Sequence, residues 1–192
     1  MHRFFIFKIH AMKKLSFTPE EFFFEDDGII PNSPYPLLVY RNAFAELGTA
    51  GAEFLENIFR KNNWSNSWRG GIYSFHHYHS NTHEVLGVFQ GSAEVQMGGP
   101  NGQKIEISSG DMIVIPAGVG HQCLSHSDDF TVVGAYPDGM KPDLIKEEKD
   151  HYTVSLRHIQ KVPKPSYDPL SGKDGDLIKR WKQQKTDTHE RF

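Results

Sequence analysis

The chain has 192 residues, long enough for one domain to bury a core without disulfides or metals as staples. Lys and Arg number 21 against 24 Asp and Glu, a net charge of −3 that gives no general reason to expect nucleic acid or an anionic membrane as partner. No apolar run reaches the roughly 18 residues of a bilayer span, and one cysteine, Cys123, excludes an internal disulfide and predicts a reducing, cytoplasmic setting.

Residues 1–15 read as an extension outside the fold. Their apolar stretch, Phe4 to Ile9, is too short and too charged for a secretory signal, and Met12 followed by two lysines resembles a second start. Residues 16–64 mix helix and extended signals. Thr18-Pro19-Glu20-Glu21 has the order of a helix cap and predicts a short helix carrying Phe22 to Phe24. Pro31, Pro34 and Pro36 then impose an extended path into Leu37-Leu38-Val39-Tyr40. From Gly51 to Asn62 the residues Phe54, Leu55, Ile58 and Phe59 fall on one helical face, so a helix packed on the core is expected.

Residues 65–137 hold short β-rich runs separated by Gly, Pro and Asn. The runs are Gly71–His79, Val85–Gln90, Ala93–Met97, Lys104–Ile107, Met112–Ile115, Gln122–Ser125 and Phe130–Tyr136. Their close spacing predicts an antiparallel sandwich or barrel, with a hairpin at Gly98-Gly99-Pro100-Asn101-Gly102. Residues 138–192 are polar and carry Pro163, Pro165 and Pro169. They read as a C-terminal arm lying over the barrel or reaching a neighbour, the latter in a homodimer. Tyr152–Ile159 is expected as an edge strand, Leu177–Lys182 as a last helical turn, and the lysines as a solvated face.

Histidine is the compositional anomaly, with eleven copies, four of them at His76, His77, His79 and His83. Two of these belong to a longer pattern: Gly71-(five)-His77-x-His79-(four)-Glu84-(six)-Gly91, followed by Gly110-(five)-Pro116-x-Gly118-(two)-His121. Residues two apart in a strand project from one face, so His77 and His79 share a side of the sheet. The turn-prone Ser80-Asn81-Thr82 returns Glu84 to that face on the next strand. Pro116 to Gly120 cannot be a central strand and delivers His121 from across the barrel. Three imidazoles and a carboxylate then converge on a metal. His76 and His83 adjoin these positions, and strand alternation turns both to the opposite face, toward surface or supporting roles.

The two elements resemble the paired signature motifs of the cupin superfamily, and with their flanking strands the likeness covers about residues 65–137. It departs at the end of the second motif, where Ser125 stands in place of the frequent Asn. The resemblance implies a mostly β fold, an antiparallel double-stranded β-helix or jelly-roll barrel, here with an N-terminal helical segment and the C-terminal arm. It implies one divalent transition metal held by His77, His79, Glu84 and His121. Three nitrogens and one oxygen suit Fe, Mn, Ni, Co or Zn alike. The flanking segments are similar to an uncharacterised bacterial subgroup, which supplies no reaction.

Counting by twos from the ligands gives an expected inward set. It comprises Phe75, Tyr73 and Arg69, then Leu86, Val88 and Gln90, then Cys123 and Ser125. Arg69, Tyr73, Gln90 and Cys123 are the candidate substrate contacts among them; no catalytic residue is singled out. The function expected first is a metal-dependent enzyme on a small oxygenated molecule, with dioxygenase chemistry ahead of isomerase or decarboxylase. The alternative is a metal-bearing module that binds or senses a small molecule without turnover. A base near the open metal positions would favour catalysis, and a purely apolar pocket would favour binding.

Overall fold

The computed structural model describes residues 18–181; the extension expected at 1–15 and the end of the last turn, Lys182, lie outside them. Among the described residues eleven strands form two antiparallel sheets. In chain order they are β1 (Glu20–Phe22), β2 (Leu37–Tyr40), β3 (Trp64–Gly70), β4 (His77–Tyr78), β5 (Glu84–Gln90), β6 (Ser92–Met97), β7 (Gln103–Ser108), β8 (Met112–Ile115), β9 (His121–His126), β10 (Thr131–Pro137) and β11 (Ile145–Lys146). One sheet has the order β1-β2-β8-β5-β10-β3, the other β11-β4-β9-β6-β7. This is a jelly-roll barrel, and residues 16–64 supply two strands of its larger sheet besides a packed helix.

The barrel interior is one apolar cluster drawn from alternate positions of both sheets, including Leu37, Val39, Leu86, Val88, Val95, Ile107, Ile113 and Val132. These β-branched and leucine side chains suit the buried inner face of a pleated sheet, and in the smaller sheet the alternate positions of β6 and β7 are exposed or half-buried. The outer face of the larger sheet carries a second cluster. Helix α1 (Gly48–Lys61) covers it with Ala52, Leu55 and Phe59, all fully buried. Each of the two larger side chains contributes about 2 kcal/mol by burial alone.

Three expectations for the chain ends and edges fail. Thr18 to Phe24 is not a helix: Glu20–Phe22 pairs antiparallel with Leu37–Val39, because three residues before the prolines can add to a sheet edge at once. Tyr152–Ile159 is not an edge strand but helix α2, with Ser155 buried and its hydroxyl accepting from Tyr78 Oη at 3.0 Å. Its β-branched residues are outvoted by a helical arrangement of contacts, the usual fate of a weak local preference. Gly71–His79 is not continuous strand either, since only His77–Tyr78 pairs and 71–76 is irregular.

The C-terminal segment is sewn to the outer face rather than merely laid on it. Asp168 is fully buried; its carboxylate accepts from Tyr40 Oη (2.7 Å) and from the backbone N–H of Leu170, Ser171 and Leu177 (2.9, 2.9 and 3.0 Å). Trp181 follows the short helix α3 (Asp176–Arg180), stacks on Tyr35 with centroids 5.1 Å apart, and donates from Nε1 to Pro36 O at 3.0 Å. One of the arm's lysines is no free solvated group: Lys164 donates to Trp181 O at 2.8 Å and lies over the Tyr35 ring.

Candidate metal centre

The site sits at one end of the barrel, where the strands stop supplying apolar side chains. His77 on β4 faces His121 on β9 in direct register, with ring centroids 4.1 Å apart. His79 follows β4, and its carbonyl accepts from the Gly118 N–H at 2.9 Å, tying the loop before His121 to the first motif. Gly118 has φ +91°, and a Cβ there would meet Asn32 O at 2.4 Å, so the loop needs glycine. Glu84 opens β5 opposite Ile115. The motif spacings thus bring four side chains from four places in the chain to one end of the barrel.

All four are buried. The ligand nitrogens of His77, His79 and His121 lie within 4.8 Å of one another, close enough to hold a metal ion. Glu84 Oε2 lies 3.4 Å from His79 Nε2 and 3.5 Å from His121 Nε2. Each ring's other nitrogen faces a backbone carbonyl. His77 Nδ1 meets Phe75 O (3.2 Å), His121 Nδ1 meets Val119 O (3.1 Å), and His79 Nδ1 meets Asp143 O. A carbonyl only accepts, so every Nδ1 carries a proton and the Nε2 lone pairs remain for a ligand. Such outer contacts fix ring orientation in metal sites.

The electrostatics differ among the rings. Burial, then the neighbouring His121, lowers the His77 imidazole to about 3, so it is neutral across the physiological range. Burial alone would raise the Glu84 carboxyl, but His79 and His121 overcome it and hold the group well below the usual carboxylate range. Burial would likewise lower His79, yet Glu84 beside it raises this imidazole. A buried carboxylate that draws a proton toward the imidazole beside it, with no lysine or arginine among the described residues of the wall, suits a metal cation in that proton's place.

A cavity of about 440 Å³ opens from these four side chains. Its remaining wall is largely apolar: Trp68, Ile72, Leu86 and Leu144, with Tyr73 at the mouth and Tyr136 deeper in. Trp68 Nε1 donates to Tyr136 Oη at 2.8 Å. Burial and then the Glu84 charge raise the Tyr136 hydroxyl far above the ordinary tyrosine range, so it stays protonated. One side is closed by the segment after β10. There Asp143 accepts from Ser80 N (2.7 Å) and the Ser80 hydroxyl, and Asn81 bonds the backbone of Lys141 and Asp143 (3.0 Å each).

Of the four expected substrate contacts, the structure brings only Tyr73 to the cavity. It is half exposed, stacks on Phe75 and meets the edge of His77. Arg69 lies outside, where its guanidinium pairs with Glu56 of α1 through bonds of 2.7 and 2.9 Å. Counting by twos across 71–76 fails because those residues are not strand. Trp68 faces the cavity instead, and β3 is itself irregular beyond it, with Asn66 at φ +55° and a register shift between Gly134 and Tyr136. Gly134 makes room for it: a Cβ there would lie 2.2 Å from the indole. Gln90 is exposed at the far end of β5, near Asp129.

Cys123 does point inward but joins the apolar barrel core below the cavity. Ser125 is exposed, because β9 shifts register between Cys123 and Ser125 and the strand alternation reverses there. His76 and His83 face away from the centre as expected, yet both are buried rather than at the surface. His83 Nδ1 accepts from Ala117 N at 2.9 Å, and its ring packs 4.8 Å from Trp181. Tyr136, Trp68, Ile72 and Leu144 were not singled out from the sequence. For Tyr136 the signal existed: Phe130 and Val132 point into the barrel, and alternation along β10 carries Tyr136 to the same side.

The sequence model of the cupin family, described simply as "Cupin", matches residues 65–140. A Bacillus subtilis (strain 168) protein, "Uncharacterized protein YjlB", is 45% identical over 163 residues, which is 84% of this chain and 96% of that one. Among solved structures, the WlaRB TDP-quinovose 3,4-ketoisomerase of Campylobacter jejuni is 16% identical, with a TM-score of 0.39 over 46% of this chain and 73% of its own. Procruciferin, an 11S globulin of Brassica napus, is 20% identical, with a TM-score of 0.35 over 50% and 29%.

Proposed function

The chain belongs to the cupin family, and from that premise we propose that it binds one divalent transition metal through His77, His79, His121 and Glu84 and presents it to a small oxygenated molecule. The observation that carries this reading is three buried imidazoles with nitrogens within 4.8 Å of one another, each with Nδ1 at a backbone carbonyl, and Glu84 Oε2 within 3.5 Å of His79 and His121. Fe, Mn, Ni, Co and Zn all remain compatible with the donors. Once bound, such an ion supplies Lewis acidity and open positions for an oxygen ligand.

The chain's own residues set the conditions around it. Phe75, Val119 and Asp143 carbonyls orient the rings, and Trp68, Ile72 and Leu86 keep the cavity apolar. Tyr136 holds a proton beside Glu84. Among the described residues the cavity wall carries no lysine or arginine to seat a carboxylate. Its second acid, Asp143, is engaged by Ser80, so no free base stands near the centre. Decarboxylation and isomerisation ask for such groups; dioxygen-dependent oxidation asks least of the wall and is the reaction class we favour. The same apolar wall supports the second reading, a metal-bearing binding or sensing module without turnover.

Elemental analysis of protein purified without an affinity tag tests the metal reading first. About one equivalent of a divalent transition metal is expected, and its absence even after incubation with each of the five ions would overturn it. Oxygen uptake by the reconstituted protein across a panel of small diols and hydroxyketones then separates the two functional readings: binding without uptake favours the module.

A further inference from the structure

The cavity wall says what class of molecule the site admits. Beyond the metal-facing side chains and Gly70, Gly71, Pro142 and Asp143, it consists of Trp68, Ile72, Tyr73, Leu86, Tyr136 and Leu144. Those side chains offer two hydroxyls and one indole N–H, and the N–H is already spent on Tyr136 Oη. No described lysine or arginine reaches the wall; its charged members apart from the histidines, Glu84 and Asp143, are both acidic. Lys146 is near, but it lies outside over the Phe75 ring, 4.9 Å from its centroid. Lys141 lines an adjoining, more open depression that shares Trp68, Tyr136 and Pro142 with the cavity, and it is not among the cavity's own lining.

We infer that the ligand is an uncharged molecule with a flat or branched apolar body, carrying a hydroxyl or carbonyl oxygen that faces the metal position, and that Tyr136 Oη donates the polar contact that orients it. This deepens the reading above and rests on it. The argument is one of desolvation. A phosphate or dicarboxylate entering this cavity loses its water shell and gains no cationic side chain in return, a penalty of several kcal/mol per ion in an apolar site. A bound metal compensates for one negative oxygen at the head of the ligand, and nothing compensates for a second charge along its body. An apolar body instead gains by covering aromatic and aliphatic wall, about 25 cal/mol for each Å² removed from water. The volume of about 440 Å³ lies within the ordinary range of small-molecule pockets.

Tyr136 is suited to donate. Its oxygen accepts from Trp68 Nε1, which fixes the hydroxyl position and leaves the O–H to donate. It is a positioning group for the ligand, and its contribution is readable in binding rather than in turnover.

The test is calorimetric titration of metal-loaded protein with maltol, a ring-bodied hydroxyketone, and with oxalate, a dianion with no apolar body. Both offer two oxygens to a metal, and each affinity is read relative to the same ligand's affinity for the free metal ion, so the remaining difference is the wall's. Metal content is measured before and after each titration. On that scale maltol is expected to bind at least about tenfold more tightly than oxalate, which corresponds to about 1.4 kcal/mol. Leu144→Arg, at an exposed point of the wall where folding is not at stake, should narrow or reverse that ratio. Tyr136→Phe should weaken maltol severalfold with metal content unchanged. Metal-loaded wild type that prefers oxalate, or binds both alike, overturns this inference and leaves the metal reading intact. Protein that takes up no metal overturns both.

Discussion

Strand β5 sets two environments side by side. Val85 and Phe89 point outward under helix α1 and the C-terminal segment, while Glu84, Leu86 and Val88 point into the barrel. The outward face is closed. Its side chains interlock with Leu55, Phe59, Leu177 and Trp181; Tyr40, Asp168 and the indoles of Trp64 and Trp181 have partners, while His83 Nε2 is left without one. The inward face is equally apolar along most of its length, but it is left unfilled at one end, where His77, His79, His121 and Glu84 converge around a cavity. Packing for stability alone would fill that end, since voids and clustered buried polar groups both cost free energy. The outer face therefore holds the barrel together and the inner end gives up some stability for a site.

The comparison predicts that damage to the two faces separates cleanly. His121→Ala should lower metal affinity by more than about a hundredfold, because even the groups behind metal ligands are worth about ten- to a hundredfold, while the metal-free unfolding midpoint moves little. Trp181→Ala should do the reverse, costing about 3–5 kcal/mol of stability as for other buried aromatic truncations, with metal content unchanged at temperatures where the variant is folded. Elemental analysis and urea unfolding on both variants check this. If folded Trp181→Ala loses its metal, the two faces are coupled and the division fails.

Asp168 offers a finer cut on the outer side. Its carboxylate accepts four hydrogen bonds with no exposure to water. Asp168→Asn turns one accepting oxygen into a donor facing other donors, so a loss of about 2–3 kcal/mol is expected in urea unfolding. Unchanged metal affinity in the same variant would again separate the faces.

The inner side was far more legible in the sequence than the outer. Glycine, histidine and glutamate at fixed offsets mark the motif because each is irreplaceable locally: Gly118 by its backbone, the histidines by their nitrogens. Strand alternation then located Leu86, Val88 and Cys123 on the barrel interior. It misplaced Arg69 and Ser125 because alternation holds only while a strand stays regular, and it breaks at 71–76 and at the β9 register shift. The outer side has no such signature. Asp168, Leu177 and Trp181 are scattered through a polar segment, and what buries them is a tertiary fit with Tyr35, Pro36 and Tyr40, more than a hundred residues earlier. Local composition, read alone, predicts an arm lying over the barrel or reaching a neighbour and does not mark the residues that anchor it.

His83 lies where the faces meet, next to Glu84 but packed against Trp181 on the outer side. Burial lowers its imidazole to about 3, against an ordinary value of about 6.5. The folded state keeps it neutral while the unfolded chain takes up a proton below pH 6.5. Stability associated with neutral His83 is thus fully present above about pH 6.5 and lost as pH falls toward 3, by up to about 1.4 kcal/mol per pH unit. His83→Gln should flatten the acid limb of a stability–pH profile by about 2 kcal/mol between pH 6 and 4.5, whatever its effect at pH 8. An unchanged slope would mean that His83 is hydrated in the folded state.

The smallest expected effect concerns Cys123, on the inner side but below the cavity. It is 5% exposed and packed in the barrel core, and its thiol donates only a weak bond to Ser125 O at 3.4 Å. Burial raises the thiol above its ordinary value, which reduces the thiolate needed for alkylation. Since it does not line the cavity, its labelling should follow global unfolding and ignore occupancy of the site. Cys123→Ser should therefore keep the metal and lose only about 1 kcal/mol, the cost of placing a hydroxyl where a small apolar group sat. Maleimide labelling of native protein should be slow and equally slow with metal bound or removed, once the stability difference between the two forms is allowed for. A rate that rises on metal removal beyond that difference would show that the cavity reaches down to Cys123, and the boundary between filled core and open site would have to be drawn one layer deeper in the barrel.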